Sequence, residues 1–314
     1  GEPSYEPSTI ASRGLGGENE LLQSVTNDPS ESRNTAYRKA NWLAKKYAFT
    51  TIPSVSSLNT LRGKANTVSK APEPFLGFGD PLLTSRKDDL HKSDLSSLFT
   101  SSKDDPHKSD RSSSVRGAVA DVEEVRKLFY RLPETAQELQ TIARTLGAPK
   151  ESVFLREEAT EKKVKSMDLN NARIIAFATH GLISGEMKGL AEPALVLTPP
   201  EVGSLEDDGL LTASEIAQLK LDADLVILSA CNTASSDGKP GAEGLSGLAR
   251  SFFYAGARSL LVSHWPVESE SAMKLTTGMF TELAAQPGVG RAEALKLAQL
   301  SLIQDDKNPK FAHP

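Results

Sequence analysis

Two short apolar runs constrain the fold of this chain most, because each leads to a side chain capable of chemistry. Ile174–Ala178 leads through one further residue to His180, and Leu225–Leu228 leads through two further residues to Cys231. Each run has the length and composition of a strand that is buried on both faces. Ligands bind beyond the carboxyl ends of the strands in open α/β sheets. The sequence therefore predicts that His180 and Cys231 meet at one edge of a sheet.

Strand-like and helix-like segments alternate along the rest of the chain. Further strands are predicted at 75–78, 153–155, 194–198 and 260–265, and helices at 36–47, 132–146, 161–167, 212–219, 243–254, 270–284 and 291–304. The pairs Thr135/Glu138 and Thr212/Glu215 have the spacing of a capping box. Alternation of this kind predicts an α/β fold with a mostly parallel sheet and helices on both of its faces.

Composition limits the partners of the chain. The net charge of −5 and the lack of a dense basic cluster predict that it binds no nucleic acid directly. No apolar run approaches the roughly 18 residues that span a bilayer, so no membrane association is predicted. The first residues lack both a starting Met and a signal-peptide pattern, and we interpret the chain as a fragment or a processed product.

Domain boundaries follow from shifts in composition. Residues 1–33 are rich in Gly, Ser, Glu and Pro and are predicted to form a linker or flexible tail, and 34–314 to form one domain. A Ser- and charge-rich segment at 84–117 interrupts this domain, and within it 88–97 recurs almost unchanged as 104–113. Such a segment is too polar to bury itself and is predicted to be a disordered insertion. Its repeated Asp-Asp-x-His does not have the spacing of a known metal site, so no metal is predicted.

The chemistry open to His180 and Cys231 is that of a thiol nucleophile with its base. Cys231 is the only cysteine, which excludes an internal disulfide and a multi-cysteine zinc site. It follows His180 by 51 positions, and a histidine about 50 residues upstream of the cysteine is typical of caspases. Gly181 places an unobstructed N–H beside the histidine, and together with the N–H of Cys231 it is predicted to form an oxyanion hole. This chemistry requires no metal or organic cofactor.

Two alternatives stand beside this interpretation. A lone cysteine is often a small buried hydrophobe, and a histidine at a strand end is often a core or capping residue. His264, within Ser-His-Trp-Pro, is a second candidate base. The glycine after His180 and the small residues around Cys231 favour a catalytic pair formed by His180 and Cys231.

Five sequence blocks, in order, resemble the CHAT family of caspase-like peptidase domains, which are often joined to tetratricopeptide repeats. The blocks are FATHG at 177–181, DGLLTASEI at 208–216, LSACNT at 228–233, GLSGLAR at 244–250 and FYAGA at 253–257. The resemblance implies a caspase-hemoglobinase-like three-layer α/β/α sandwich and a cysteine endopeptidase. It also implies His180 as base or acid, Cys231 as nucleophile and Gly181 as oxyanion donor.

The resemblance further implies a protein or peptide substrate and control by a sensor, either a tetratricopeptide-repeat region or a partner chain. Three acidic residues, Glu192, Asp207 and Asp208, are candidates for a pocket that attracts a basic side chain. For the aspartates the alternative is a turn before Gly209. A catalytically silent scaffold and an acyl transferase or thioesterase remain alternative functions. The required free thiol favours the cytoplasm, with a removed signal peptide as the alternative.

Overall fold

The computed structural model describes residues 36–52, 68–83, 119–187, 190–229, 247–263 and 267–312. The predicted tail at 1–33, the predicted insertion at 84–117, Cys231 and His264 lie outside these ranges. The chain divides into two compact units. One is Thr51–Phe280, and the other combines the residues up to Thr50 with those from Thr281 onward.

Thr51–Phe280 contains eight strands in its described residues. They are β1 (Leu76–Pro81), β2 (Val153–Arg156), β3 (Ile174–Ala178), β4 (Gly181–Leu182), β5 (Ala194–Val196), β6 (Leu210–Thr212), β7 (Leu225–Leu228) and β8 (Leu260–Val262). Five of them form one sheet in the order β2-β1-β3-β7-β8, with every neighbouring pair parallel. The other three form an antiparallel sheet in the order β4-β5-β6. The predicted, mostly parallel sheet is confirmed.

Helices alternate with these strands along the chain. They are α1 (Val122–Leu128), α2 (Pro133–Thr145), α3 (Glu161–Ser166), α4 (Ala213–Ile216), α5 (Gly247–Ala255), α6 (Ser269–Ala285) and α7 (Arg291–Ile303). The last of them, α7, lies in the other unit. The predicted capping box of Thr212 and Glu215 is confirmed at the start of α4. The one predicted for Thr135 and Glu138 is wrong, because α2 begins two residues earlier, at Pro133. Proline suits the first turn of a helix, where its missing N–H has no partner to lose.

Helices lie on both faces of the parallel sheet. On one face, the buried residues of the central strands pack with side chains of α3, α4 and α5; these strand residues are Leu76, Phe78, Ile175, Phe177, Val226 and Leu228. On the other face, glycines of β1 let α2 approach closely. A Cβ at Gly79 would lie 2.7 Å from the Leu139 side chain of α2. The predicted three-layer α/β/α arrangement is therefore confirmed.

A row of aromatic rings fixes β3 within the sheet. Phe78 stacks on Phe154 at 5.1 Å and on Phe177 at 5.4 Å, and Phe177 contacts Phe252 of α5 at 5.5 Å between ring centroids. The strand register pairs Phe78 with both Phe154 and Phe177. Offset contacts between aromatic rings add to the free energy gained by burial. The end of β3 therefore stands on a rigid part of the core.

The second unit contains α7 and short 3-10 helices at Leu43–Lys45 and Pro309–Ala312. The single helix predicted over 36–47 is interrupted, since residues 36–39 are helical and Trp42 has an extended backbone. The ammonium of Lys45 donates to the carbonyls of Arg38 and Ala40, each at 2.7 Å. These bonds satisfy carbonyls at the end of the first helical turn, where the chain turns away. In the described ranges, no helix is both long and apolar enough to cross a bilayer.

Candidate active site

His180 lies directly beyond β3, at the carboxyl edge of the parallel sheet. Two hydrogen bonds to Val196 of β5 fix the chain there, because the Thr179 hydroxyl donates to the Val196 carbonyl and the Val196 N–H donates to the His180 carbonyl at 2.9 Å. The next residue, Gly181, begins β4 and pairs with Leu195. The chain thus passes from the parallel to the antiparallel sheet at His180, which leaves the imidazole at the edge between them.

The orientation of the imidazole is set by the segment between α1 and α2. Nε2 of His180 lies 2.7 Å from the carbonyl oxygen of Tyr130. A carbonyl only accepts, so Nε2 carries the proton and Nδ1 carries the lone pair. The rings of Phe129 and Tyr130 pack against the imidazole at centroid distances of 5.4 and 5.0 Å. One backbone carbonyl and two aromatic rings therefore fix both the tautomer and the plane of His180.

The surroundings of His180 keep its imidazole neutral. Burial lowers the pKa of His180 below its usual value of 6.5, while the Tyr130 carbonyl and the Glu134 carboxylate of α2 act in the opposite direction. A neutral imidazole with its lone pair on Nδ1 is able to accept a proton at neutral pH. This is the chemical form that a general base requires.

The end of β7 meets the same edge of the sheet. Phe177 of β3 pairs with Leu228 of β7, and the Ser229 N–H donates to the Phe177 carbonyl at 2.9 Å. Ser229 is two positions before Cys231. The sheet thus brings together His180 and the described residue nearest in sequence to the predicted nucleophile. Cys231 itself lies outside the described residues, and so does the rival base His264.

Glu138 is a residue of this region that the sequence did not identify. Its carboxyl is 1% exposed, and its Oε2 accepts the hydroxyl proton of Ser229 at 3.0 Å. Burial raises the pKa of Glu138 to about 7, with hydroxyls of Ser229 and Thr276 acting against the rise and Glu134 adding to it. The only sequence signal was its spacing from Thr135, which suggested a helix cap instead.

The three acidic residues predicted for a substrate pocket differ in the hydrogen bonds that their carboxylates accept. Glu192 accepts both the N–H and the hydroxyl of Ser214, at 2.8 and 2.6 Å. Asp208 accepts the N–H of Ala120 at 2.8 Å and that of Leu210 at 3.0 Å. Oδ1 of Asp207 is buried and has no hydrogen-bond partner within the described residues.

A buried ion network supports the segment that carries Asp207 and Asp208. Oε2 of Glu161 accepts the N–H groups of Asp208 and Gly209 at 2.9 and 3.1 Å. Lys165 binds the other oxygen of Glu161 and also Oε1 of Glu215 at 2.7 Å. Burial raises the pKa of Glu161 to about 7, against the effect of Lys165 and of the Asp208 N–H. We interpret this network as the support of the loop that carries Asp207 and Asp208.

In the described part of the chain, no three His, Cys, Asp or Glu side chains lie close enough together to hold a metal ion. The repeated Asp-Asp-x-His of the sequence lies outside that part. The site that remains is a fixed neutral imidazole at the end of a parallel strand.

Comparison with known protein families identifies the class of protein to which this chain belongs. The CHAT domain model matches residues 27–314, and the chain belongs to the CHAT domain family. That family is related to caspase-like peptidases.

Two relatives carry the tetratricopeptide repeat in their names. Tetratricopeptide repeat protein 28 of Mus musculus and that of Homo sapiens are each 28% identical to this chain over 225 residues. The match covers 60% of this chain but only 8% of each relative. The chain therefore spans a small fraction of the length of the curated relatives it matches.

Proposed function

We propose that this chain is a cysteine endopeptidase of the CHAT type, with Cys231 as nucleophile and His180 as base. The observation that carries the proposal is the Tyr130 carbonyl, which holds His180 as a neutral Nε2–H tautomer at the carboxyl edge of the sheet. Family membership supports it. So does Ser229, which directly follows β7 at the same edge and lies two residues before Cys231 in the sequence.

The proposed reaction proceeds by acyl transfer. Nδ1 of His180 accepts the Cys231 thiol proton, and the thiolate attacks the scissile carbonyl carbon. The backbone N–H groups of Gly181 and Cys231 stabilise the oxyanion. Collapse breaks the C–N bond, and the imidazolium returns its proton to the leaving amine. Water then attacks the thioester, with His180 again as base, and releases the carboxylic acid and the free thiol.

For substrate recognition, the carboxylates of Glu192 and Asp208 are already engaged by backbone N–H groups. Asp207 is half-buried, and its Oδ1 is buried without a partner in the described ranges. We therefore propose that a basic side chain of the substrate is accepted by the other carboxyl oxygen of Asp207. An unchanged residue preference before the cut in Asp207→Asn would assign the segment to a purely structural turn.

We further propose that the substrate is a protein or peptide and that a tetratricopeptide-repeat region or partner controls the site. Support comes from the relatives, which carry that repeat in their names. The proposed compartment is the cytoplasm, since the reaction requires a free thiol.

The decisive experiment is cleavage of an unbiased peptide library by the purified chain and by Cys231→Ala, His180→Ala and His264→Gln variants. Cleavage that is lost in the first two variants and retained in the third establishes the pair and excludes the rival base. Cys231 is the only cysteine, so labelling by a thiol-reactive probe reports on it alone. A chain that cuts no peptide and reacts no faster than a free cysteine would instead be a silent scaffold. Faster turnover of an acyl ester than of any peptide would indicate an acyl transferase or thioesterase.

A further inference from the structure

We propose that the ion pair between Asp80 and Arg131 is a positioning device for His180: it holds the Tyr130 carbonyl against Nε2 of the imidazole. Its catalytic consequence rests on the proposed peptidase function, whereas its effect on His180 is measurable without any activity. Neither Asp80 nor Arg131 touches the imidazole, and both act through the intervening backbone.

Asp80 occupies an irregular position at the end of β1. The pairing of β1 with β2 shifts between Gly79 and Pro81, and Asp80 has a left-handed backbone with φ of 43°. Bulges of this kind redirect a side chain and are common beside active sites. Gly79 pairs with Ala178 of β3, so Asp80 and His180 both lie just beyond that pair at the same edge of the sheet. The bulge therefore aims a carboxylate into the region of the site.

Arg131 receives that carboxylate in a two-point contact. Its Nε lies 3.1 Å from Oδ1 of Asp80, and its Nη2 lies 2.6 Å from Oδ2. The Asp80 side chain is 4% exposed and that of Arg131 is 36% exposed. Paired contacts of a guanidinium with a carboxylate fix direction as well as distance. Because Asp80 is buried, loss of Arg131 would leave its carboxylate without a compensating charge.

The segment between α1 and α2 is held at successive residues. Arg131 directly follows Tyr130, whose carbonyl accepts from His180 at 2.7 Å. The Thr135 hydroxyl donates to the carbonyl of Leu132 at 2.6 Å and accepts the Asp80 N–H at 2.9 Å. Asp80 thus binds the segment through its side chain at Arg131 and through its N–H near Leu132. Together these contacts fix the plane of the peptide group that His180 uses.

Loss of the pair frees the Tyr130 carbonyl and loosens the rings of Phe129 and Tyr130 over the imidazole. Water then reaches His180, and the main cause of its lowered pKa weakens. Among the described residues, the charged and titratable groups around the ring are Glu134 of α2 and the Tyr130 phenol. Glu134 favours the protonated imidazole, so it adds to the rise once burial is relieved.

The test is nitrogen-detected NMR of the histidine rings in the full chain, comparing the unaltered protein with Asp80→Asn and Arg131→Lys. Asparagine tolerates a left-handed backbone, so Asp80→Asn removes the charge without adding strain at φ of 43°. Arg131→Lys keeps the charge and removes the two-point contact. The chain has five histidines, and His180→Gln assigns the signal of His180.

The matched control is Asp222→Asn. Asp222 pairs with Arg258 at 2.5 Å, and these residues precede β7 and β8, at the opposite edge of the sheet. We expect Asp80→Asn and Arg131→Lys to raise the pKa of His180 toward 6.5 and to mix its two tautomers. Asp222→Asn should leave both unchanged. In peptide cleavage, Asp80→Asn should lower kcat about tenfold with little change in KM, which reflects a misplaced base.

An unaltered His180 tautomer and pKa in both variants would overturn the proposal. If Asp80→Asn does not fold, as judged by circular dichroism, the result of Arg131→Lys decides. If the unaltered chain cleaves no peptide, the proposed function fails, yet the NMR comparison still decides whether the pair positions His180.

Discussion

The hydroxyl of Ser229 donates to Oε2 of Glu138 at 3.0 Å and thereby joins the end of β7 to a fully buried carboxyl of α2. The second carboxyl oxygen, Oε1, has no hydrogen-bond partner in the described chain. Thr276 lies nearby, but its hydroxyl already donates to the Ala272 carbonyl at 2.8 Å. A protonated carboxyl is neutral, so burying its unpaired oxygen costs less free energy than burying a carboxylate. This agrees with the raised pKa of about 7.

The stability of Glu138→Gln relative to the unaltered protein should increase as the pH rises. Glu138 binds its proton more tightly in the folded than in the unfolded chain, so the unaltered protein loses stability between pH 4.5 and about 7. Glu138→Gln has no such loss, and its free energy of unfolding should gain roughly 3 kcal/mol on the unaltered protein over that range. Urea denaturation at pH 5 and pH 8 measures the difference.

The control for Glu138→Gln is Glu151→Gln, at an exposed residue of the Lys150–Ser152 3-10 helix. That variant should differ from the unaltered protein by the same small amount at both pH values. A difference for Glu138→Gln that does not grow with pH would show that the carboxyl is charged throughout.

The parallel sheet was predictable because its central strands are buried on both faces. Ile174–Ala178 and Leu225–Leu228 read as continuous apolar runs for that reason. The strands β4 and β6 were missed because two or three residues show no periodicity. Residues 181–182 of β4 and 210–212 of β6 pair with β5 at 194–196, and such tertiary hydrogen bonds leave no local signal.

In the site, His180 was predictable and its partners were not. A histidine after a buried strand is visible in the sequence, whereas the Tyr130 carbonyl lies 50 positions away and any residue supplies a carbonyl. Asp80 and Arg131 are 51 positions apart and meet only because of a bulge in β1. The spacing of Glu138 from Thr135 suggested a helix cap. Because α2 begins earlier, at Pro133, Glu138 lies inside the helix, where its carboxyl accepts from Ser229.

Thr179→Val should destabilise the junction between the two sheets by about 1–3 kcal/mol. The Thr179 hydroxyl is buried and donates to the Val196 carbonyl, and valine leaves that carbonyl without its donor. Thr179→Ser keeps the hydroxyl and removes one methyl group, for a loss of about 1 kcal/mol. Thermal denaturation of both variants shows which of the two loses more stability. A valine variant as stable as the serine variant would show that the hydrogen bond contributes little.

Gly256→Ala should destabilise the protein by more than about 3 kcal/mol. Gly256 ends α5 with φ of 119°, and a Cβ there would lie 2.2 Å from the Leu221 carbonyl oxygen. The strain of a left-handed backbone therefore adds to a clash with backbone. Gly147→Ala, at φ of 68° with nothing within 4 Å, isolates the backbone strain and should cost about 1 kcal/mol. Equal losses in urea denaturation would rule out the clash as the main cause.

Lys165→Met should destabilise the protein by about 3 kcal/mol at pH 8, where Glu161 is ionised and would lose its cation. Burial disfavours the charge of Lys165, but hydrogen bonds with Glu161 and Glu215 outweigh it and raise the pKa of the ammonium. The control is Lys127→Met, whose ion pair with Glu123 spans 3.7 Å between exposed side chains and should contribute less than about 1 kcal/mol. Adding Glu161→Gln to Lys165→Met should recover part of the loss in urea denaturation. No recovery would mean that the packing of the lysine chain, and not its charge, supports the loop of Asp207 and Asp208.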